Sequence, residues 1–427
     1  MSDIIIGAGI TGLSYGYFTK RPFILFEASD FAGGLCRSVK EDGFTFDCSG
    51  HFVHIKNPEI KKIIEKITGR KLLTVKRNAS IYLKNYFVPF PFQANLYYLG
   101  EKEKKECVDG IKKRKNIKIS SDMPFIKWSQ AMFGNGITKY FMQPYNEKLW
   151  NYDLHKLTAA WTAPFVPKPS AESIIESAYS ENKTDYGYNS AFYYPDINGC
   201  GQITDAFYGQ IKNCVIKNAK AKEIDFKNKT VFVNGKYYSY DRLISTQPLF
   251  ELIRNLKNAP QNIKKQTEKL KWTSVRCVNL GIKCKKDVPE NIKDRHWIYL
   301  PEKKYPFYRA GIYSNVSKKL APAGCYSLYV EFSGKNNAYP DCSDIIKQLQ
   351  SAGIIGSDDK ILTANIIDMP YAYVIFDKNR QKALDAVTDF LNSNSIYSIG
   401  RYGAWEYSFI EKNITDAKNL AAKLDII

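Results

Sequence analysis

The amino-terminal segment places the narrowest limits on the fold of this chain. An apolar run at 4–6 leads into the turn Gly7-Ala8-Gly9-Ile10-Thr11-Gly12, and a second apolar run follows at 23–26. This pattern predicts a strand, a tight turn, a helix and a second strand, which together form a βαβ dinucleotide-binding unit. In such a unit Gly7 allows the tight turn, Gly9 lets a pyrophosphate approach the backbone, and Gly12 lets helix and strand pack closely. The helix N terminus then offers free N–H groups to phosphate.

An acidic residue closes this unit. Glu27 lies twenty positions after Gly7, at the end of the second apolar run. A carboxylate there is placed to accept hydrogen bonds from a ribose 2′-OH, and it disfavours a 2′-phosphate. A glycine-rich hexad alone is often only a tight turn, but the strand, the helix and the terminal acid together favour a bound dinucleotide.

Length and composition indicate a large globular protein. With 427 residues, 44% of them hydrophobic, the chain can bury two or three cores, so several interwoven domains are expected. No apolar run approaches the roughly 18 residues of a membrane-spanning helix, and we expect a cytoplasmic protein without a membrane span. The nine cysteines are scattered and odd in number, which favours reduced thiols, with neither a metal site nor a cysteine nucleophile.

The chain is strongly basic. Its 62 Lys and Arg against 43 Asp and Glu give a formal net charge of +19, which favours an anionic partner: nucleic acid, an acidic membrane or a phosphorylated small molecule. The densest basic stretch, 102–115, is interleaved with acidic residues as on a solvated helix face, and no nucleic-acid-binding module accompanies it. We therefore expect a phosphorylated small molecule as partner and no nucleic acid.

Three further stretches resemble the motifs of one flavoprotein superfamily. They are Phe31-Ala32-Gly33-Gly34-Leu35-Cys36-Arg37, Phe44-Thr45-Phe46-Asp47-Cys48-Ser49-Gly50-His51-Phe52 and Ile399-Gly400-Arg401-Tyr402-Gly403-Ala404-Trp405-Glu406-Tyr407. FAD-dependent amine oxidases, protoporphyrinogen oxidases and sugar mutases share such stretches. The resemblance implies that FAD is bound by Gly7, Gly9, Gly12, Glu27, Gly33, Gly34, Arg37, Gly50, Gly400 and Arg401. It also places His51 close to the flavin, although a lone buried histidine is usually structural.

The two halves of this FAD site lie at opposite ends of the sequence, so the segments between them must be insertions. The resemblance implies an α/β fold, with a Rossmann-like FAD-binding domain, an inserted helical domain and an antiparallel β-sheet domain. We expect the FAD-binding domain to comprise 1–91, 183–247 and 379–427. The mainly helical domain would span 92–182 and the antiparallel substrate domain 248–378. In the latter, alternating segments such as 276–283 and 326–332 predict strands.

Several blocks narrow the resemblance to the eukaryotic type of UDP-galactopyranose mutase. They occur in the family's order and are Val88-Pro89-Phe90-Pro91-Phe92-Gln93-Ala94-Asn95, Phe141-Met142-Gln143-Pro144-Tyr145-Asn146-Glu147-Lys148-Leu149-Trp150, Trp297-Ile298-Tyr299-Leu300-Pro301-Glu302, Pro306-Phe307-Tyr308-Arg309-Ala310 and the closing stretch above. The resemblance implies interconversion of pyranose and furanose forms of a UDP-galactose-like nucleotide sugar, in cell-surface polysaccharide biosynthesis. Reduced FAD would act through N5 as nucleophile on the anomeric carbon, releasing the nucleoside diphosphate, with NADPH as reductant.

The same resemblance assigns residues to the diphosphate of the substrate. Arg309 would bind it, because a guanidinium offers fork geometry to phosphate oxygens. Tyr299, Tyr373 and Tyr407 would donate hydroxyl groups to the same oxygens. Together with His51, Arg309 would be a catalytic residue. Packing is the alternative role for each tyrosine, since the chain has 30 of them.

Other residues are assigned to the rest of the substrate. Phe92 and Gln93 would stack on and hydrogen-bond to the uracil, with Asn146 and Trp150 nearby. Asn189 matches a loop residue that contacts the substrate in the family. A tryptophan in a helix is often part of the core, so packing is the alternative for Trp150.

The sequence also departs from the family. The family carries a second phosphate-binding arginine on a flap, where this chain has Phe165, and Lys168 is the nearby cation that could replace it. A family tyrosine is here Phe90, and 408–412 differ as well. These changes leave the sugar and the nucleotide open. The alternative function is an FAD-dependent oxidoreductase of the amine oxidase or protoporphyrinogen oxidase type; a flavin-free relative is a third reading, which the intact glycine turn opposes.

Overall fold

A computed structural model describes residues 2–115, 117–182, 190–334 and 339–426. Its strands are, in chain order, β1 (Asp3–Ile6), β2 (Phe23–Phe26), β3 (Ser38–Glu41), β4 (Phe44–Asp47), β5 (Leu73–Lys76), β6 (Ala79–Leu83), β7 (Tyr86–Pro89), β8 (Ala191–Tyr194), β9 (Val215–Ile216), β10 (Ala221–Asp225), β11 (Thr230–Val233), β12 (Lys236–Ser239), β13 (Leu243–Ser245), β14 (Trp272–Lys283), β15 (Trp297–Tyr299), β16 (Arg309–Ile312), β17 (Cys325–Ser333), β18 (Lys360–Val374) and β19 (Ile396–Ser398). Its α-helices are α1 (Ile10–Phe18), α2 (Pro58–Thr68), α3 (Glu101–Lys112), α4 (Phe125–Ile137), α5 (Gln143–Trp150), α6 (Thr162–Phe165), α7 (Ala171–Glu176), α8 (Gly201–Ile211), α9 (Leu249–Asn255), α10 (Gln261–Thr267), α11 (Cys342–Ser351), α12 (Arg380–Ser393), α13 (Gly400–Gly403) and α14 (Ile410–Asp425).

The two ends of the chain meet in a five-stranded parallel sheet. Its strand order is β19-β13-β1-β2-β9, so β1 lies between a strand from the middle of the sequence and the second strand of its own βαβ unit. All four residues of β1 are buried, as expected for a central parallel strand covered on both faces. The first helix, α1, packs against the last, α14. The sheet therefore joins β1 to β13, some 240 residues later in the sequence, and to β19, some 390 residues later.

A second, seven-stranded sheet has the order β18-β14-β17-β16-β15-β6-β7. Its neighbouring strands are antiparallel except for β15 and β6, which are parallel. The α/β class with a separate, mainly antiparallel sheet is thus confirmed. One feature differs from the expected arrangement, since β6 and β7 belong to this sheet although they precede residue 92. The five residues of β6 are all buried, and β6 pairs with β15 on one side and with β7 on the other, which provides hydrogen-bond partners for its backbone.

The helices α3 to α7 form the insertion between β7 and β8. α3 and α4 pack closely at Gly110 and Gly134. A Cβ atom at Gly134 would lie 2.3 Å from the backbone of Gly110, so glycine permits this approach. The chain then returns through β8, which pairs with β5 in a small antiparallel sheet. β10, β11 and β12 form a three-stranded meander before the chain enters β13 of the parallel sheet.

Within the described residues, no helix combines the length and the apolar character needed to cross a bilayer. Likewise, no group of three or more His, Cys, Asp or Glu side chains in that part of the chain is arranged to hold a metal ion.

Candidate functional site

The glycine turn between β1 and α1 is closed on one side and open on the other. A Cβ atom at Gly12 would lie 2.0 Å from the carbonyl oxygen of Gly7, so only glycine allows the helix to pack on the strand. At Gly9, which caps the N terminus of α1, an added Cβ would meet nothing within 4 Å. The open face at Gly9 and the uncapped N–H groups of α1 form a cradle that fits a pyrophosphate.

Other residues that are predicted to bind the cofactor surround this turn. The Glu27 carboxylate accepts hydrogen bonds from the backbone N–H of Ala8 at 2.7 Å and of Ser29 at 2.8 Å. Since a carboxylate has about four acceptor sites, it retains capacity for a ribose hydroxyl. The second glycine pair packs on the first, because a Cβ at Gly34 would lie 3.2 Å from the Cα of Gly9.

Residues from both ends of the sequence complete the cradle. The Gly33 N–H donates to the carbonyl oxygen of Ala8 at 2.8 Å, and Arg37 Nη1 donates to the carbonyl oxygen of Gly34 at 2.8 Å. From the far end, Gly400 lies against α1, where an added Cβ would be 2.6 Å from Thr11 Oγ1. The structure thus brings the predicted cofactor residues of both chain ends to one place.

The turn that carries His51 is anchored by a buried carboxylate. Asp47, the last residue of β4, accepts hydrogen bonds from Ser38 Oγ at 2.5 Å, Tyr194 Oη at 2.6 Å and the Cys200 N–H at 3.0 Å. Burial raises the pKa of Asp47 to about 6. At Gly50, an added Cβ would lie 2.0 Å from the Tyr329 hydroxyl oxygen, so this position must be glycine.

His51 itself is held as a neutral imidazole. Burial, and after it the nearby Arg401 charge, lower the pKa of His51 to about 4. Its Nδ1 atom is buried and has no hydrogen-bond partner among the described residues. Because a buried polar atom without a partner is costly, this nitrogen fits a site that a cofactor or substrate completes.

A row of polar side chains crosses the seven-stranded sheet next to this turn. Tyr299 on β15 lies opposite Arg309 on β16, and Arg309 lies opposite Glu331 on β17. Arg309 Nε and Nη2 donate to the two carboxylate oxygens of Glu331 at 2.5 and 2.8 Å. Ser49 Oγ, from the His51 turn, also donates to Glu331. Glu331 therefore connects Arg309, which is predicted to bind the diphosphate, to the turn of His51, which is predicted to lie beside the flavin.

This ion pair lies in the interior. The Glu331 side chain is 1% exposed and the Arg309 side chain 18%. Burial alone would lower the pKa of Arg309, but the Glu331 carboxylate raises it well above its usual value. Arg309 thus stays charged, and its bidentate partner fixes the plane of the guanidinium.

Tyr373 and Tyr407 lie side by side, braced by Arg401. Their ring centroids are 5.6 Å apart, and the Arg401 guanidinium carbon lies 5.4 Å from the Tyr373 ring and 4.8 Å from the Tyr407 ring. Arg401 Nη2 donates to the Ala372 carbonyl oxygen at 2.9 Å and Nη1 to that of Ser408 at 2.7 Å. Arg401 therefore holds both tyrosines, besides the role at the cofactor that its motif predicts.

Trp150 packs behind these tyrosines. Its ring centroid is 5.6 Å from that of Tyr373 and 6.2 Å from that of Tyr407. The indole Nε1 donates to Asn146 Oδ1 at 3.0 Å, and Asn146 Nδ2 donates to the Met142 carbonyl oxygen at 2.7 Å. Both side chains are buried, so they support the tyrosine pair from the helical insertion.

The residues predicted to meet the base are buried in the structure. Phe92 stacks on Phe141 with ring centroids 5.3 Å apart. Gln93 Nε2 donates to the Pro167 carbonyl oxygen at 2.6 Å, while its Oε1 has no partner among the described residues. A base contact at Gln93 stays a prediction, and Asn189 lies outside the described residues.

The position of the missing flap arginine is occupied by an aromatic ring. The Phe165 ring centroid lies 4.3 Å from that of Tyr407. Lys168, the proposed replacement, is exposed, and its Nζ lies 5.5 Å from the Trp128 ring. A different cation lies on the Tyr299 side. The Arg77 guanidinium is 4.7 Å from the Phe90 ring, and Phe90 is 5.4 Å from Tyr299.

Three residues of the site escaped the sequence reasoning: Glu331, Arg77 and Tyr145. Tyr145 packs its ring 5.1 Å from that of Tyr299 and 6.2 Å from that of Tyr308. Glu331 had a readable signal, since it is the one acid within the apolar stretch Leu328-Tyr329-Val330-Glu331-Phe332. A charge on the buried face of a strand requires a partner. Arg77 and Tyr145 carried no comparable signal.

Comparison with known proteins bears on this site. A solved structure of reduced UDP-galactopyranose mutase superposes with a TM-score of 0.91 at 27% identity, covering 99% of this chain and 95% of that one. A structure from an Exiguobacterium species, named as a protoporphyrinogen oxidase, gives a TM-score of 0.77 at 16% identity over 99% of this chain and 98% of that one. By sequence, coproporphyrinogen III oxidase of Staphylococcus aureus is 25% identical over 276 residues. That alignment spans 60% of this chain and 57% of the relative.

The family model of the flavin containing amine oxidoreductases matches residues 16–316. This match extends from α1 to the end of the segment that carries Tyr299 and Arg309. Since it covers well over half of the 427 residues, the protein belongs to the flavin containing amine oxidoreductase family and is a flavin-dependent enzyme.

Proposed function

We propose that the protein is a nucleotide-sugar mutase that interconverts pyranose and furanose forms of a UDP-galactose-like substrate with reduced FAD. The observation that carries the proposal is the buried row of Tyr299, Arg309 and Glu331 beside the His51 turn. An anion-binding arginine at the flavin suits a reaction whose leaving group is a diphosphate. The likeness to reduced UDP-galactopyranose mutase, at 27% identity over 99% of the chain, supports the same assignment.

Arg309 binds the diphosphate in this proposal. A guanidinium has five N–H donors, and the two hydrogen bonds to Glu331 leave three of them available. The carboxylate fixes the orientation of the fork, so that the arginine meets the phosphate oxygens without losing further rotational freedom. Because the charge of the leaving group grows as its bond to the sugar breaks, a fixed cation stabilises the transition state more than the substrate.

The tyrosines supply neutral donors around the same group. Tyr299 lies next to Arg309 in the sheet, and Arg401 and Trp150 fix Tyr373 and Tyr407 from two sides. Burial raises the pKa of Tyr299 above its usual value, so its hydroxyl keeps its proton. These hydroxyl groups therefore donate hydrogen bonds to the diphosphate oxygens and enclose them from water.

When bound and reduced, FAD supplies a nucleophilic ring nitrogen, and the net reaction consumes no electrons. The open face at Gly9 and the surrounding glycines would hold its pyrophosphate, and Glu27 would accept from the ribose. His51 would meet the cofactor as a neutral group, since its pKa is lowered to about 4 by burial and Arg401. A neutral imidazole can give or accept a hydrogen bond at the flavin edge without adding charge.

The test uses the full chain loaded with FAD and reduced by dithionite without oxygen. Incubation with UDP-galactofuranose should yield UDP-galactopyranose, measured by anion-exchange chromatography, while the oxidised protein should be inactive. Failure to isomerise this and other nucleoside-diphosphate furanoses would reject the mutase. We propose NADPH as the physiological reductant, and anaerobic bleaching of the flavin absorbance by NADPH is the measurement for it.

An oxidoreductase is the second candidate, and two observations favour it. Phe165 lies against Tyr407, where the mutase resemblance calls for an arginine. The S. aureus coproporphyrinogen III oxidase is also a sequence relative. Hydrogen peroxide formed in air with an amine or a porphyrinogen, together with absent ring isomerisation, would support this second function over the first.

A further inference from the structure

A polybasic segment follows α3 in the helical insertion. The segment, 112–119, reads Lys112-Lys113-Arg114-Lys115-Asn116-Ile117-Lys118-Ile119 and continues from the end of α3. Asn116 lies outside the described residues, and each of the others is exposed. No acidic residue occurs between Asp109 and Asp122. The segment therefore carries five cations in eight residues without an intervening acid.

The rest of α3 behaves differently. Its three glutamates are paired: Glu101 lies 2.9 Å from Lys104 Nζ, Glu103 lies 2.5 Å from Lys84 Nζ, and Glu106 lies 2.7 Å from Lys139 Nζ. The expectation of a solvated, charge-balanced helix face therefore fits 101–109. It does not extend to the segment that follows.

The cations of the segment are largely uncompensated. Among the described residues, Lys112, Lys113, Lys115 and Lys118 have no ion-pair partner within 4.0 Å. Arg114 differs, because its Nη1 donates to the Met132 carbonyl oxygen at 2.6 Å and Glu172 lies within electrostatic reach of it. The lysines thus leave a local positive field that opposes binding of other cations and attracts anions.

Two large apolar side chains interrupt this charge. Ile117 is 43% exposed and Ile119 is 42% exposed. Isoleucine is among the residues most often fully buried in folded proteins. A pair of exposed isoleucines on either side of Lys118 therefore offers apolar area that solvent does not favour. The combination of lysines and isoleucines in one exposed segment suits a partner that is both anionic and apolar.

We infer that residues 112–115 and 117–119 bind the surface of an anionic lipid bilayer, with the lysines at the headgroups and Ile117 and Ile119 at the acyl boundary. Anionic headgroups attract basic residues, and shallow insertion of apolar side chains adds to this attraction. A nucleic acid is the less suitable partner, because its phosphate backbone meets lysines but offers no apolar phase for two isoleucines. The protein would associate with the bilayer reversibly, through this segment and without spanning it.

The experiment measures sedimentation of the FAD-loaded full chain with lipid vesicles. Vesicles of phosphatidylcholine with about one third phosphatidylserine should bind it, and pure phosphatidylcholine should not. Each Lys or Arg near an anionic surface strengthens binding about five-fold, so the variant Lys113→Gln/Lys115→Gln should bind roughly 25-fold more weakly. Ile117→Ser/Ile119→Ser should weaken binding by about ten-fold, through lost apolar burial. Binding should also fall steeply as salt rises above about 0.1 M.

A matched charge control separates this segment from the overall basic character. Lys264 and Lys265 on α10 are both exposed, and Lys264→Gln/Lys265→Gln lowers the net charge from +19 by the same two units. This variant should bind like the parent protein. Equal weakening by the two lysine pairs would overturn the inference, as would equal binding to both kinds of vesicle. Unchanged vesicle binding after loss of the isoleucines, with DNA duplex binding that depends on Lys113 and Lys115, would instead identify a nucleic-acid surface and also overturn it.

Discussion

Two arginine–carboxylate pairs in the seven-stranded sheet have the same geometry and different surroundings. Arg309 on β16 faces Glu331 on β17, and Arg276 on β14 faces Asp368 on β18. In both pairs the arginine uses Nε and Nη2, with distances of 2.5 and 2.8 Å in the first and 2.6 and 2.8 Å in the second. Glu331 is 1% exposed, whereas Asp368 is 59% exposed.

This difference in burial changes how much each pair can contribute to stability. An exposed pair contributes about 0.2–1 kcal/mol, because water screens it. A buried pair needs desolvation of both charges, and it is often no more stable than an apolar pair of the same volume. Arg309 and Glu331 therefore stabilise the fold little, and their burial accords with the proposal that the arginine binds an anion. The exposed pair serves as an internal control for that explanation.

Removing the acid from each pair should give the largest contrast. Glu331→Gln leaves the buried Arg309 charge uncompensated, and it should lower the free energy of unfolding by about 3–5 kcal/mol. Asp368→Asn should cost less than about 1 kcal/mol. Urea unfolding of the two FAD-loaded variants, followed by circular dichroism, measures both. Equal losses from the two variants would show that burial does not distinguish the pairs.

Lowering the pH should reduce the free energy of unfolding through the buried His51. Burial lowers the pKa of His51 from 6.5 to about 4, so His51 stabilises the fold above pH 6.5, and this contribution is lost as the pH falls towards 4. The difference corresponds to roughly 3 kcal/mol at most. His51→Gln should therefore flatten the fall in stability between pH 6.5 and 4.

His155 provides the control for this prediction, because it is exposed. His155→Gln should leave the pH dependence of the unfolding free energy as it is in the parent protein. Urea midpoints at half-unit pH steps across the window give the comparison. A parallel shift of the curve at all pH values in His51→Gln would mean that the imidazole acts by packing and not by titration.

Replacing each arginine by lysine tests the fork itself. Lysine keeps the charge but cannot make two parallel hydrogen bonds. If Arg309 binds the leaving diphosphate, Arg309→Lys should lower kcat/KM for UDP-galactofuranose by roughly ten- to a hundred-fold, equal to about 1.4–2.7 kcal/mol. Arg276→Lys should leave the rate within about two-fold, since the Arg276 guanidinium binds Asp368 and lies 4.2 Å from the Tyr339 ring. A similar loss from both would place the effect in the sheet and not in the site.

The backbone geometry of the contiguous part of the candidate cofactor site could be predicted from the sequence. Gly7, Gly9 and Gly12 lie within six residues, and the space at each follows from a local backbone constraint. Strands with regular alternation, such as β14 and β17, were also expected. Local patterns suffice here because the interacting atoms are close in the sequence.

Partners distant in sequence could not be predicted. The residues around Arg309 do not indicate that Glu331 is its partner. The two side chains become neighbours only when β16 and β17 pair in the sheet. The same holds for Arg401, whose hydrogen bonds run to Ala372 and Ser408 on two other segments. The entry of β6 into the seven-stranded sheet depends on β15, more than 200 residues later. These features arise from tertiary packing, which periodicity does not encode.

The smallest expected effect concerns the cation that the site lacks. The Phe165 ring lies 4.3 Å from the Tyr407 ring, whereas the exposed Lys168 has its Nζ 5.5 Å from the Trp128 ring. Phe165→Arg adds a charge beside Tyr407, and it should tighten UDP binding to the reduced FAD-loaded protein by about ten-fold, or about 1.4 kcal/mol. Phe165→Met, which is flexible and uncharged, should not tighten it, and Lys168→Met should change the Kd less than about two-fold. Isothermal titration calorimetry gives all three Kd values.

Tighter UDP binding in Phe165→Met as well as in Phe165→Arg would mean that the Phe165 ring only blocks the pocket sterically. Weaker UDP binding in Lys168→Met would mean that the exposed lysine reaches the diphosphate. That result would contradict the expectation that only buried cations of the site bind it.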